Sequence, residues 1–140
     1  MRSRESLIRL NRFQVDEKRR KVAEIETMMA DFLRKEAELD QQIEAEQQRS
    51  GVTDVNHYAY PTFAKAALGR KENLSASIEG LKLQLEDAKN DLAEAYAELK
   101  KYELLQEKER DRQQKELSAK EQADMDEVAL NMFRRGEASS

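Results

Sequence analysis

Residues 74–102, LSASIEGLKLQLEDAKNDLAEAYAELKKY, decide the fold of this chain. The residues of one apolar seam follow one another at alternating steps of four and three: Leu74, Ile78, Leu81, Leu85, Ala88, Leu92, Ala95, Leu99 and Tyr102. This spacing keeps the seam on one face of a supercoiling helix. Because the other positions are mostly charged or polar, the seam is the main apolar surface that this helix can bury, and it predicts a partner helix.

The composition of the chain favours long helices over other fold classes. Charged residues make up 39% of the 140 residues, and there are only 4 Gly, 1 Pro and no Trp. This balance is typical of coiled coils. The absence of Cys excludes disulfides and thiolate chemistry. No run approaches the ~20 apolar residues that a bilayer span needs, and no apolar run follows the N-terminal charges as in a secretory signal. We therefore expect a cytoplasmic protein without direct membrane insertion.

A second seam, less regular than the first, runs along the N-terminal part of the chain. Its positions are Ile8, Val15, Val22, Met29 and Ile43 at steps of seven, broken at Glu36, with Ile25, Phe32 and Leu39 between them. Four further apolar residues are predicted to widen this stripe, namely Leu7, Leu10, Phe13 and Leu33. Asn11 and Lys18 fall at core positions in the strictest register, which predicts loose packing of the first two turns.

The boundaries of two helices can be placed from glycine and proline. The first helix is predicted over about residues 3–50 and ends at Gly51, since a glycine can take the left-handed conformation that closes a helix. A turn follows over about residues 51–60. The second helix is predicted over about residues 61–135, with Pro61 in its first turn, where a missing N–H costs nothing.

Two long helices joined by about ten residues most simply form an antiparallel hairpin. With the turn centred near Asn56, residues whose numbers sum to about 112 should lie opposite one another, which places the second seam along the first. Residues 106–116 contain no apolar residue and are predicted to be a solvated single helix. The predicted fold is thus an all-α, long two-helix antiparallel coiled-coil hairpin with an overhanging C-terminal helix, forming a single elongated domain over residues 1–140.

Nothing in the sequence is typical of an enzyme. The single histidine, His57, has no cysteine, no second histidine at ligand spacing and no nucleophile elbow to act with. Carboxylate pairs such as Asp87 and Asp91 lack the Glu-x-x-His ligands that complete metal sites in helical bundles. The chain has no Gly-rich phosphate loop with a GK[ST] motif. We expect no catalytic residue, no cofactor and no metal.

Three sets of residues are candidates for binding a partner. The turn contributes Tyr58, Tyr60 and Phe63, which predict either an aromatic docking surface or a small core that closes the hairpin. Near the C-terminus, Met125, Val128 and Met132 restore an apolar helix face that another protein could cover. The basic set near the N-terminus is Arg9, Arg12, Arg19 and Arg20.

The basic residues do not predict a nucleic-acid partner. The formal net charge of the chain is -4, and we expect no series of aromatic residues among the arginines that could stack on successive bases. A solvated helix face or a protein contact explains these arginines better.

The first helix resembles a known family. The runs Leu7-Ile-Arg-Leu10, Arg12-Phe13, Val15-Asp-Glu17, Arg19-Arg20 and Val22-Ala23, followed by a long charged helix, a turn and a second long helix, resemble the FliJ proteins of the bacterial flagellar type III export apparatus. The resemblance implies a coiled-coil stalk of the hexameric export ATPase, which also contacts the export gate in the membrane and recycles export chaperones. It implies a role in flagellum biogenesis and motility, peripheral to the inner membrane at the flagellar base.

If the resemblance holds, the end with both termini and Arg9, Arg12, Arg19 and Arg20 is expected to meet the ATPase, and the turn to meet the gate. Two alternatives stay open: a coiled-coil homodimer that acts as a structural adaptor, and a general chaperone. A monomer of 16.3 kDa is favoured over a homodimer, because the register lets one chain bury both seams.

Overall fold

The computed structural model describes residues 2–139 of the 140, and the side chains of residues 3–137. Within that range the chain forms two helices, α1 (Arg2–Ser50) and α2 (Thr62–Ser139), joined by residues 51–61, and no strand. The predicted all-α hairpin is confirmed. Met1 and Ser140, which the predicted domain includes, lie outside the described residues.

The ends of the helices at the turn follow from local backbone chemistry. Gly51 has a φ of 74°, and its N–H donates to the Gln47 carbonyl oxygen at 2.9 Å. This left-handed conformation costs a glycine little and closes α1 as predicted. At the start of α2, the Lys65 N–H donates to the Pro61 carbonyl oxygen at 3.0 Å, so the proline sits at the boundary where its missing N–H is not needed.

The far end of α2 differs from the prediction. The helix continues to Ser139 rather than ending near residue 135, and it includes Gly136. An interior glycine costs a helix only about 1 kcal/mol relative to alanine, and the neighbouring residues form helices readily enough to offset that cost.

The chain divides into two compact units, which are described separately. One unit consists of residues 12–96, and the other combines α1 up to Asn11 with α2 from Ala97 onward.

The core of the first unit is the predicted pair of seams. In its central cluster, Val22 and Ile25 of α1 pack with Leu81 and Ala88 of α2. The partly buried residues around this cluster are Met29, Phe32, Leu85 and Leu92. A second cluster near the turn joins Leu39 and Ile43 to Ala67, with Leu68 and Leu74 against it. Each seam is therefore the partner that the other one requires.

Two polar contacts between the helices fix the register of this unit. Lys71 Nζ lies 2.6 Å from Asp40 Oδ1, and Ser75 Oγ donates to Glu36 Oε2 at 2.9 Å. The residue numbers of both pairs sum to 111, one less than the sequence predicts. The hydrogen bond to Asp40 and the negative charge of its carboxylate raise the pKa of Lys71 above its ordinary value.

The prediction of a widened stripe on α1 is wrong. Four apolar side chains stand about half exposed beside the seam rather than in it, namely Leu7, Leu10, Phe13 and Leu33. A two-helix contact buries little more than two positions of each seven, so residues on the flanks stay in water. Lys18 is also exposed although it falls at a seam position, because its long side chain carries the ammonium group out of the contact.

In the other unit, which combines α1 up to Asn11 with α2 from Ala97 onward, the seam of α2 changes from apolar to polar residues toward the C-terminus. Ile8, Asn11 and Leu99 are buried, and the Asn11 Nδ2 donates to the Leu7 carbonyl oxygen at 2.7 Å. The start of α1 is therefore well packed, contrary to the loose packing predicted for it. Beyond Tyr102 the partly buried positions of α2 continue at the same spacing with Gln106, Glu109 and Gln113.

The unpaired part of α2 begins later than predicted. The hydrogen bond from Arg112 holds the pKa of Glu109 below its usual value, and the positive charge of Arg4 on α1 adds to this effect. The first turn of α1 thus lies beside Glu109, and the partly buried positions end at Gln113 rather than near Leu105. The sequence-based boundary was wrong because polar residues can line a seam when their polar ends reach water.

Candidate functional site

The aromatic residues of the turn divide between a core and a surface. Tyr60 is only 8% exposed, and its hydroxyl accepts a hydrogen bond from Gln47 Nε2 at 3.0 Å. It closes the end of the core beside the last turns of α1, so of the two roles predicted for the turn aromatics, Tyr60 has the structural one.

Tyr58 and Phe63 face outward instead. Tyr58 is 96% exposed and stacks on His57 with ring centroids 4.6 Å apart, while Phe63 is about half exposed. The Ala59 N–H donates to His57 Nδ1 at 3.0 Å, which holds the histidine as part of the turn. The turn therefore leaves two aromatic side chains, Tyr58 and Phe63, exposed to solvent.

Polar residues that the sequence analysis missed lie beside this surface. An open depression of about 660 Å³ is lined by Val55, Asn56, His57, Tyr58, Tyr60, Thr62, Lys65 and Ala66. Lys65 is the only lysine or arginine in this lining. Its position one turn into α2 was the available signal, since the first turn of a helix lies next to the loop that precedes it.

The predicted basic residues lie in both units. Arg12, Arg19 and Arg20 are exposed in the unit of residues 12–96, and Arg19 Nη1 lies 3.9 Å from Asp16 Oδ1. Phe13 is exposed beside Arg12, so an aromatic side chain does accompany these arginines. Arg9 is exposed in the other unit. Within residues 12–96, the exposed Arg12, Arg19, Arg20 and Phe13 side chains offer cationic and apolar contacts.

The apolar face near the C-terminus is uncovered among the described residues. Every described side chain over residues 114–137 is exposed, including the predicted Met125, Val128 and Met132. With Asp124 and Ala129 these three line a shallow depression of about 300 Å³ on one side of α2. Three more apolar residues of this segment are exposed, namely Leu117, Leu130 and Phe133.

The described residues contain neither a metal-binding cluster nor a membrane-spanning helix. No group of three or more His, Cys, Asp or Glu side chains within them is placed to hold a metal ion. The described helices also include none with the length and apolar character that crossing a bilayer demands. The candidate site consists of the exposed surfaces described above.

These features define a class, the proteins built from a two-helix antiparallel coiled-coil hairpin. Within that class the assignment is specific, because the family model described as "Flagellar FliJ protein" matches residues 3–138. The chain belongs to the FliJ family.

The family assignment establishes the general function of the chain. The chain is a component of the flagellar protein export apparatus, and its family is a structural, non-enzymatic part of that apparatus. No curated protein and no solved structure gives a significant match to the chain.

Proposed function

We propose that this chain is a coiled-coil stalk that binds the hexameric export ATPase with the end that carries its termini. The observation that supports this role most directly is the uncovered part of α2. Residues 114–137 form one continuous helix about 36 Å long, exposed on all sides, with an apolar face at Met125, Val128 and Met132. A single helix of this length can enter the central opening of a ring-shaped partner.

In this proposal the exposed arginines supply a second contact with the ATPase. Arg9, Arg12, Arg19 and Arg20 are exposed, and carboxylates of the ring can bind them even where they also have a contact within the chain, as Arg19 has with Asp16. The stalk raises the ATPase activity of the ring and so assists the export of flagellar proteins. Any nucleotide chemistry belongs to the partner, since the chain has no phosphate-binding loop.

The turn is proposed to contact the export gate. Tyr58 and Phe63 are the aromatic side chains available for this contact, whereas Tyr60 already serves the core. Contact with the gate would place the chain in the cytoplasm, peripheral to the inner membrane at the flagellar base. Binding and recycling of export chaperones is the third part of the proposal and follows from the family alone.

Stimulation of the export ATPase by purified variants tests the proposal. Truncation after Gln113 removes only the uncovered helix and leaves both seams intact, so it is expected to abolish stimulation without unfolding the hairpin. Arg19→Glu with Arg20→Glu is expected to weaken stimulation. The matched control is Arg34→Glu with Lys35→Glu, which reverses two adjacent exposed charges elsewhere on α1.

Full stimulation by both the truncated chain and the Arg19 and Arg20 variant would refute the assignment of this end to the ATPase. For the gate, Tyr58→Ala with Phe63→Ala should lower retention of the chain by the cytoplasmic part of the gate protein. Retention equal to that of the unchanged protein would remove the turn from the proposal.

A further inference from the structure

Apolar and small residues recur along the outer side of α2 in the unit that contains residues 97–137. Starting at Ala97, every seventh residue is exposed, and the series is Ala97, Leu104, Asp111, Ser118, Met125 and Met132. We call this series the outer line. Leu104 is 54% exposed, and Met125 and Met132 are each 67% exposed. Ser118 is small, and Asp111 is the one charged member of the line.

The outer line lies on the opposite side of α2 from the face that packs on α1. Leu99 is buried and Tyr102, Gln106, Glu109 and Gln113 are partly buried on that face. Each residue of a helix advances about 100°, so Leu104, two residues after Tyr102, points about 200° away from it. The first helix therefore cannot cover the outer line, and a partner has to come from outside the hairpin.

The outer line has Ser118 midway between two large apolar residues, Leu104 and Met132. When a second α2 is laid antiparallel with Ser118 opposite Ser118, Leu104 falls opposite Met132 and Asp111 falls opposite Met125. The two Leu104–Met132 pairs are apolar, and the small side chain at the centre lets the helices approach closely. The two Ser118 hydroxyl groups can hydrogen-bond to one another, since each is both a donor and an acceptor. The Asp111–Met125 pairs are unfavourable and keep such a contact weak.

The charges beside the outer line fit the same arrangement. Residues 110–115 contain three basic residues and one acidic residue, a net charge of +2, while residues 121–127 contain four acidic residues and no basic one, a net charge of -4. Antiparallel pairing around Ser118 places the basic segment of each copy opposite the acidic segment of the other, with Lys115 level with Glu121. The surface is complementary to itself, as a two-fold contact requires.

We propose that a second copy of this chain is the partner of the outer line, bound antiparallel around a two-fold axis at Ser118. The contact runs from Leu104 to Met132, about 42 Å along each helix. The contact itself goes beyond the proposed function and does not depend on it. One consequence rests on the proposed function: the second copy covers Met125 and Met132 and so competes with the ATPase for that face.

Cysteine cross-linking tests the geometry directly, since the chain has no cysteine of its own. Ser118→Cys, which changes the size of the side chain little, should oxidise to a disulfide-linked dimer roughly tenfold faster than Leu83→Cys, because pairing raises the effective thiol concentration at the axis. Leu83 is the matched control: it is 67% exposed and repeats the seven-residue spacing three heptads before Leu104, outside the proposed contact.

Leu104→Cys and Met132→Cys distinguish the direction of pairing. Antiparallel copies form a mixed disulfide when the two variants are combined, and neither variant cross-links quickly alone. Rapid cross-linking of Leu104→Cys with itself would show parallel copies and overturn the proposal. Equal rates for Ser118→Cys and Leu83→Cys would overturn it as well.

A charge exchange provides the second test, read by sedimentation equilibrium of the full chain. Lys115→Glu and Glu121→Lys should each weaken dimerisation roughly tenfold, since each reduces the attraction between the basic segment of one copy and the acidic segment of the other, and symmetry repeats the change. The double variant places opposite charges against one another again and should restore dimerisation. Lysine and glutamate both form helices readily, so either residue at position 115 or 121 preserves folding. A mass of 16.3 kDa at every protein concentration up to the solubility limit, or a double variant as weak as the single ones, contradicts the proposal.

Discussion

Asp40 of α1 and Lys71 of α2 join the two helices through a contact of 2.6 Å between Oδ1 and Nζ, and this pair fixes their register near the turn. Each side chain is too far from the other in sequence to meet it within one helix. The contact therefore reports the tertiary arrangement alone, and it makes a pH-dependent contribution to stability.

The stability of the hairpin should fall in strong base partly through this pair. The carboxylate of Asp40 raises the pKa of Lys71 above 10.5, so the contribution is complete below that pH and is lost as the pH rises through the higher folded value. Lys71→Met should reduce the loss of stability above about pH 10.5, which is the unfolded pKa of lysine. Urea unfolding followed by circular dichroism at about pH 9 and about pH 11.5 measures the difference.

The same experiment on Lys82→Met separates an interhelical pair from a local one. The hydrogen bond and charge of Glu79, within α2, raise the pKa of Lys82 most, and the charge of Glu36 on α1 adds a smaller effect, so the sign of the pH effect is the same. Because its main partner Asp40 lies on α1, Lys71→Met should change the coupling between the helices more, seen as faster hydrogen exchange near residues 36–43. An identical exchange pattern in both variants would show that the Asp40 contact does not hold the register.

Tyr60 should be the aromatic residue of the turn that matters for stability. Tyr60→Phe removes only the hydrogen bond from Gln47 and should cost about 1 kcal/mol, whereas Tyr60→Ala also empties the core and should cost about 3 kcal/mol or more. Tyr58→Ala is the control, with an expected change within about 0.5 kcal/mol because that side chain is almost fully exposed. Chemical denaturation gives all three values, and a larger loss for Tyr58→Ala than for Tyr60→Ala would reverse the assignment.

Replacing Asn11 by leucine should stabilise the hairpin. Asn11 is 6% exposed at a seam position, and its hydrogen bond is made to the Leu7 carbonyl of its own helix rather than to α2. That carbonyl also accepts the ordinary helical hydrogen bond, so the change leaves no buried group without a partner. We expect a gain of about 1 kcal/mol from apolar burial, measured by thermal or urea unfolding. A loss of stability would mean that the asparagine does more than occupy the seam.

Replacing glycine by alanine should lower the stability of the hairpin at the end of α1 and raise it inside α2. Gly51→Ala forces a side chain into the left-handed region and should cost about 1 kcal/mol. Gly69→Ala and Gly80→Ala add a better helix former where no atom lies within 4 Å of the new Cβ, and each should gain about 0.5–1 kcal/mol. Thermal unfolding of the three variants provides the comparison. A stabilising Gly51→Ala would contradict the role assigned to the turn.

Most of the helical framework could be predicted because heptad spacing and helix boundaries are local properties. The seam of α2, the end of α1 at Gly51 and the register to within one residue all followed from spacing and from the positions of Gly51 and Pro61. The errors occurred where burial depends on the width and the length of the contact. Phe13 stayed outside a narrow seam, and Gln113 is partly buried although the sequence predicted a solvated helix there.

The candidate surfaces could be predicted only in part, because exposure also depends on which residues the second helix covers. The sequence identified Tyr58 and Tyr60 as members of one aromatic group. Only the tertiary structure, with the hydrogen bond from Gln47, shows that Tyr60 is the one that packs in the core. The outer line escaped notice because its residues look like ordinary solvent-facing positions until the side that faces α1 is known.

By itself the sequence determined that this chain forms two long helices with matching seams, because the spacing of apolar residues decides which face of a helix must be buried. It also determined the family resemblance that the family model confirms. Only the tertiary structure decided which residues remain for partners. An apolar side chain beside a seam is buried or exposed according to how closely and how far the second helix covers it, and that depends on contacts between residues distant in the sequence.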